Sequence, residues 1–179
     1  MPIPVFFINL DARPDGRAFM EQQFASLEIK AEGIAAVASA EVAVLLGGLS
    51  ASQMACYLSH VEAWTRISDS GAAFGLVLED DAILSPMLPA LLDRLAVEPP
   101  DFDVVRIEKP AFAVQAFPPY AVGLPGLALR EVRSVDWGSA GYLISPERCR
   151  QLIGSRRAAP VDLLLFDASR TGFGRTRVA

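Results

Sequence analysis

The apolar run Phe74-Gly75-Leu76-Val77-Leu78 stops at three adjacent carboxylates, Glu79, Asp80 and Asp81. Neighbouring carboxylates repel one another, so a cluster of them points to neutralisation by a divalent cation or by a set of hydrogen-bond donors. Their hard oxygens would favour Mg²⁺ or Mn²⁺. At the carboxyl end of a strand in an open α/β sheet, such side chains project into the ligand crevice. The competing reading is a solvated acidic turn, or a cap for the helix beginning near Pro86. A second group with chemical potential is "ACYLSHVEAW", which sets Cys56, the single histidine His60 and Trp64 at steps of four, along one helical stripe. Taken alone, His60 and Trp64 read as packing, and Cys56 as a small core residue.

The elements that must position these groups follow from local pattern. "VFFINL" reads as a first strand. In the helix that follows, Phe19, Gln23 or Phe24, and Leu27 recur at helical spacing. "AEGIAAVAS" reads as a short second strand, and the state of "EVAVLLGGLS" is left open by period alone. Ser50 or Ser52 caps a helix over 52–69 with Met54, Leu58 and Val61 on its apolar stripe, and Gly71 ends it. The acidic strand comes next. Ser85-Pro86 then opens a helix whose buried face is Leu88, Leu91, Leu92 and Leu95. "DVVRIE" is a further strand, 110–127 a long loop or irregular hairpin, and "LALREVRSV" a half-exposed strand. "GYLIS", a helix opened by Ser145-Pro146, and the short helix "VDLLLFDAS" complete the order.

With 179 residues and 52% hydrophobic content, the chain is long enough for one substantial core. A net charge of −5, with only two lysines among sixteen basic residues, argues against nucleic acid as a partner. The N-terminal apolar run is too short for a signal-peptide core, and no run is long enough for a bilayer span. Cys56 and Cys149 lie far apart without metal-ligand spacing, so neither a disulfide framework nor a zinc site is expected. A reducing, cytoplasmic setting fits best.

In order along the chain stand "FFINLDARPDGR", Cys56, Leu58-Ser59-His60, Trp64, "LVLEDD", Tyr142 to Ser145, and Pro160-Val161-Asp162. This series resembles glycosyltransferase family 25, the lipooligosaccharide-type galactosyl- and glucosyltransferases related to the collagen galactosyltransferases. Two departures stand out. Gly16 replaces a frequent arginine, leaving Arg17 as the basic residue of that motif. Members of the family also usually continue well beyond "PVD", so 1–179 reads as a single transferase domain lacking the usual closing strands.

The resemblance implies a GT-A-like fold, a nucleotide-sugar-binding α/β sandwich with a mixed, mostly parallel central sheet. It implies inverting transfer of a hexose, galactose or glucose, from a UDP-sugar to a saccharide or lipooligosaccharide acceptor, assisted by Mn²⁺ or Mg²⁺. Asp81 would be the metal ligand. Glu79 would serve as a second ligand or face the ribose, with Asp80 in support. The backbone at Ile8, Asn9 and Leu10 would meet uracil, Arg17 the phosphate, and His60 the diphosphate or an acidic side chain. For the acceptor's general base the candidates are Asp162, whose alternative role is a helix cap, and Asp136 beside Trp137. Gly138 to Gly141 would let a sugar approach the backbone, or simply allow a tight turn. Work on such an acceptor places the protein at the inner face of the membrane, and an open sheet edge favours a homodimer.

Two other classes compete. A shortened domain that keeps the donor pocket would be a non-catalytic binding or interaction module. A receiver-like phosphoacceptor domain is suggested by "LVLEDD" with "IEKPAF" and Lys109, but only one helix separates those motifs here, and "INLD" supplies no acid pair.

Overall fold

A computed structural model describes residues 1–108, 118–131, 138–155, 157–166 and 176–178. Eight strands form one sheet: β1 (Val5–Asn9), β2 (Glu32–Ala35), β3 (Gly75–Glu79), β4 (Val104–Arg106), β5 (Tyr120–Ala121), β6 (Ala128–Glu131), β7 (Gly141–Ile144) and β8 (Thr176–Val178). Their spatial order is β2-β1-β3-β7-β4-β8-β6-β5. β1, β2 and β3 run parallel, β7 is antiparallel to both β3 and β4, and β8 runs parallel to β4. Only β6 and β7 oppose the common direction, which gives the expected mixed, mostly parallel sheet of a GT-A-like fold.

Strand periodicity builds the layers. Successive side chains point to opposite faces, so Phe6, Ile8, Val77, Val104, Tyr142 and Ile144 enter one core. Val5, Phe7, Leu76, Leu78, Val105 and Leu143 enter the other. Helices α2 (Ala51–Ser68), α4 (Pro146–Ser155) and α5 (Val161–Phe166) cover the first face, and α1 (Pro14–Ser26) and α3 (Leu88–Val97) the second. β1, β3, β4 and β7 are buried on both sides, which is why their sequences are nearly continuous apolar runs.

Two of the expected serine caps are present, but Ser85 does not cap α3, whose N-cap is Met87 without a side-chain bond. Ser50 caps α2 in a reciprocal box with Gln53. The Ser145 hydroxyl accepts from the Arg148 amide at the start of α4. Helix α3 starts two residues later than Ser85-Pro86 suggests, at Leu88, and buries all four expected leucines. The face expected of α1 requires correction: Gly16, Met20 and Phe24 are buried, whereas Phe19 is 41% exposed. The helix turns its glycine toward the carboxylate cluster, and the four-residue stripe through Gly16 then faces the sheet. The stretch 42–48 has no regular structure and exposes Val44, Leu45 and Leu46. Among the described residues no helix is long and apolar enough to cross a membrane.

Candidate active site

The acidic strand β3 lies between β1 and β7, so its carboxylate end faces loops that are distant in sequence. Ser139, in the turn entering β7, donates from Oγ to Glu79 Oε1 at 2.6 Å. The same oxygen lies 3.5 Å from His60 Nε2. That separation is long for a hydrogen bond, so His60 acts on Glu79 chiefly as a nearby dipole or charge. Burial alone would push the Glu79 carboxyl up, but the His60 and Ser139 interactions outweigh it and hold the group below its ordinary range.

Behind Glu79 stands a buried polar chain. His60 Nδ1 lies 2.7 Å from the Tyr142 hydroxyl, which also accepts from Trp64 Nε1 at 2.8 Å. The His60 and Tyr142 rings stack with an interplanar angle of 22°. Trp64 and Tyr142 have no exposed surface, and His60 has 1%. Burial pushes the Tyr142 phenol well above its usual range, so it remains protonated. The step-of-four stripe therefore divides by depth: His60 and Trp64 meet the sheet, while Cys56, read as a core residue, is exposed at the rim.

Asp80 turns toward the β1–α1 loop. Its Oδ2 accepts from Asn9 Nδ2 at 2.7 Å, and the same amide donates to the Arg13 carbonyl at 2.9 Å. A Cβ on Gly16 would lie 2.6 Å from Asp80 Oδ2, so glycine at this position creates the room for the carboxylate. Arg13 pairs with Asp15 and also senses Asp80 and Asp81, all of which favour its charged form.

Two cavities flank the strand end. One, of about 280 Å³, is lined by Ile8, Leu10, Arg13, Cys56, His60, Glu79 and Asp80 among others. The second, of about 590 Å³ and largely apolar, contains Asp81 and Glu108. Gln23 shapes the latter from α1, donating to the Ala82 carbonyl and accepting from the Leu84 amide. The Glu108 Oε1 atom pairs with Arg106. Gly138 adopts φ +122°, where a Cβ would collide with both partners of that pair. This supports the turn reading of the small-residue run.

The residues expected at a metal thus separate. Asp81 is exposed and lies in one cavity, whereas Glu79 lines the other with Oε1 already engaged. As an exposed carboxylate, Asp81 would offer one hard oxygen of the kind that Mg²⁺ or Mn²⁺ takes. The group Cys56, His60 and Glu79 has its ligand atoms within 4.8 Å of one another. It does not suit Mg²⁺ or Mn²⁺, because a thiol is too soft and this one is pushed up to about 12 by burial, Glu79 and Asp162.

Of the other expected residues, Ile8 and Leu10 line the smaller cavity, and the Asn9 side chain is committed to Asp80 and Arg13. The Asn9 and Leu10 carbonyls already accept from the Ala36 and Arg13 amides. Arg17 lies over the Phe7 ring at 5.8 Å and near Glu21, and Arg13, not Arg17, is among the residues lining the smaller cavity. Asp162, in the first turn of α5, accepts from the Leu163 amide and acts electrostatically on Cys56, which puts it near the rim. Asp136 and Lys109 fall outside the described residues. Sequence reasoning took the run containing Ser139 only as room for a sugar or a turn and missed its hydroxyl as a donor to Glu79, and it gave the phosphate role to Arg17 although Arg13 lines the smaller cavity. "RPDGR" contained the signal for Arg13, and nothing local marks Ser139.

The family model of "Glycosyltransferase family 25 (LPS biosynthesis protein)" matches residues 2–165. The chain is 31% identical over 129 residues to the lacto-N-neotetraose biosynthesis glycosyltransferase LgtB of Neisseria meningitidis serogroup B, covering 66% of this chain and 47% of that protein. It is 28% identical over 186 residues to procollagen galactosyltransferase 1-B of Xenopus laevis, covering 90% of this chain and 30% of that protein. The "inactive glycosyltransferase 25 family member 3" of Mus musculus is 26% identical over 186 residues, covering 90% of this chain and 31% of that protein. The chain therefore spans about half the length of the meningococcal relative.

Proposed function

The chain belongs to glycosyltransferase family 25, and from that premise we propose that it binds a UDP-sugar and transfers galactose or glucose, with inversion, to a saccharide acceptor of the lipooligosaccharide type. The observation that carries this reading is the joining of Glu79, Asp80 and Arg13 around one cavity at the carboxyl ends of parallel β1 and β3, with Asp81 beside it. Ligands of open α/β sheets bind at such strand ends.

In this reading Ile8 and Leu10 form the apolar wall for the base. The Arg13 guanidinium, already in the field of Asp80 and Asp81, binds a phosphate oxygen. Asp81 would hold Mn²⁺ or Mg²⁺. When bound, the cation supplies neutralisation of the charge that develops on the departing diphosphate. Glu79, kept as a carboxylate by its neighbours, accepts from a ribose hydroxyl or a bridging water. Asp162 takes the acceptor's proton as that hydroxyl attacks, and Asp136 is the alternative base. Such an acceptor places the working enzyme at the inner face of the membrane.

Thermal-shift and calorimetric titration with UDP, with and without Mn²⁺, test the donor site, since binding to the native state raises stability. Micromolar affinity enhanced by Mn²⁺ is expected, followed by glycoside formation when donor and saccharide are supplied together. No stabilisation by any nucleotide would overturn the reading. The relative whose name marks it as inactive supports a second reading, in which the domain binds the donor without transferring it. UDP binding with no glycoside product would select that reading.

A further inference from the structure

We infer that Tyr142, supported by Trp64, is a positioning residue that fixes the tautomer of His60, so that a proton on Nε2 and not a bare lone pair faces Glu79 and the donor cavity. The argument is one of donor and acceptor counting. Indole nitrogen only donates, so Trp64 Nε1 occupies a lone pair of the Tyr142 oxygen at 2.8 Å. The phenolic proton needs an acceptor of its own, because Tyr142 is fully buried. His60 Nδ1, at 2.7 Å and stacked alongside, is positioned to receive it. With Nδ1 accepting, the neutral imidazole carries its proton on Nε2, which lies 3.5 Å from Glu79 Oε1.

Distance decides which neighbour sets the tautomer. The contact with Tyr142 is short and enclosed, whereas that with Glu79 is long and Glu79 is one-third exposed. The hydroxyl therefore dominates. The arrangement also explains why Cys56, His60 and Glu79, although grouped closely enough to hold a soft cation, are not poised to do so: the nitrogen that would coordinate already carries a proton. The partner that decides this, Tyr142, lies 82 residues from His60 in the sequence.

The consequence for function rests on the donor-site reading given above, but the tautomer does not. Because the chain has a single histidine, ¹⁵N-histidine labelling of the full chain reports His60 without assignment. The wild type should show an imine-type, hydrogen-bonded Nδ1 and a protonated Nε2. Glu79→Gln should retain that pattern. Tyr142→Phe should move the Nδ1 resonance toward free imine or toward a tautomer mixture, and should weaken UDP binding about tenfold. If Tyr142→Phe does not melt cooperatively, Trp64→Phe serves instead, since it frees the phenol oxygen to accept from Nδ1–H and should also mix the tautomers. A proton on Nδ1 in the wild type, or an unchanged spectrum in the Tyr142 or Trp64 variant, would overturn the inference. A shifted spectrum with unchanged UDP affinity would overturn the positioning role. Failure of the wild type to bind UDP would instead count against the donor site, with the tautomer still decided by the spectrum.

Discussion

Asn9 Nδ2 donates to Asp80 Oδ2 at 2.7 Å, fastening the middle carboxylate of the acidic triplet to the end of β1. Gly16 roofs this bond, with space for Asp80 only because it lacks a side chain. The pair thus joins two sequence motifs that sit 71 residues apart.

Gly16→Ala should destabilise the protein by about 1–3 kcal/mol, the usual cost of overpacking a filled site, reduced by the better helix propensity of alanine. Urea denaturation measures the loss. In an Asp80→Ala background the penalty should shrink sharply, because the atoms that the new methyl meets most closely are gone and only Asn9 Nδ2 at 3.2 Å remains. Additive effects of the two substitutions would show that they do not interact.

The pH dependence of stability should report the Ser139 hydroxyl. The folded Glu79 carboxyl lies below its ordinary 4.5, so its contribution is fully present above that value and is lost as pH falls through the folded pKa. Removing the hydroxyl in Ser139→Ala leaves burial less opposed and raises the folded pKa. The variant should therefore be less stable than the wild type above about pH 4.5 and should lose less stability on acidification, so that urea midpoints collected between about pH 3 and pH 6 converge at the acid end. Superimposable profiles would remove Ser139 from the account.

The separation of Glu79 from Asp81 by cavity predicts different metal responses. Asp81→Ala should abolish the enhancement of UDP affinity by Mn²⁺ while barely altering the melting temperature of the unliganded protein, because Asp81 is exposed. Glu79→Gln should weaken UDP binding and keep the enhancement. Calorimetry with Mn²⁺ or EDTA distinguishes the two, and retention of the enhancement in Asp81→Ala would displace the metal from that residue.

Cys56 should report occupancy of the cavity. It is exposed whereas Cys149 is buried, so one thiol should react with a maleimide in the native state and two after unfolding. Reaction should be slow at pH 8, because the Cys56 thiol is pushed up to about 12 and little thiolate is present. UDP with Mn²⁺ should slow it further by about tenfold or more when most sites are filled. Equal rates with and without nucleotide would place the donor elsewhere.

Local chemistry in the sequence specified a good part of this molecule. Two-residue alternation assigned Phe6 and Ile8 to one core and Val5 and Phe7 to the other once the strand was paired. The leucines of α3, the Ser50 box, the Ser145 cap and the acidic end of β3 were legible because each signal lies within a few residues of the element it shapes. What only the tertiary structure decided involves long-range pairing. Insertion of antiparallel β7 beside β3 brings Ser139 to Glu79 and Tyr142 to His60, and no short window of sequence contains both partners of either pair. The same holds for which of Arg13 and Arg17 lines the smaller cavity and for the different cavities that Glu79 and Asp81 line. Both follow from how α1 docks and where the strand end meets its loops, and period and propensity leave those quantities undetermined.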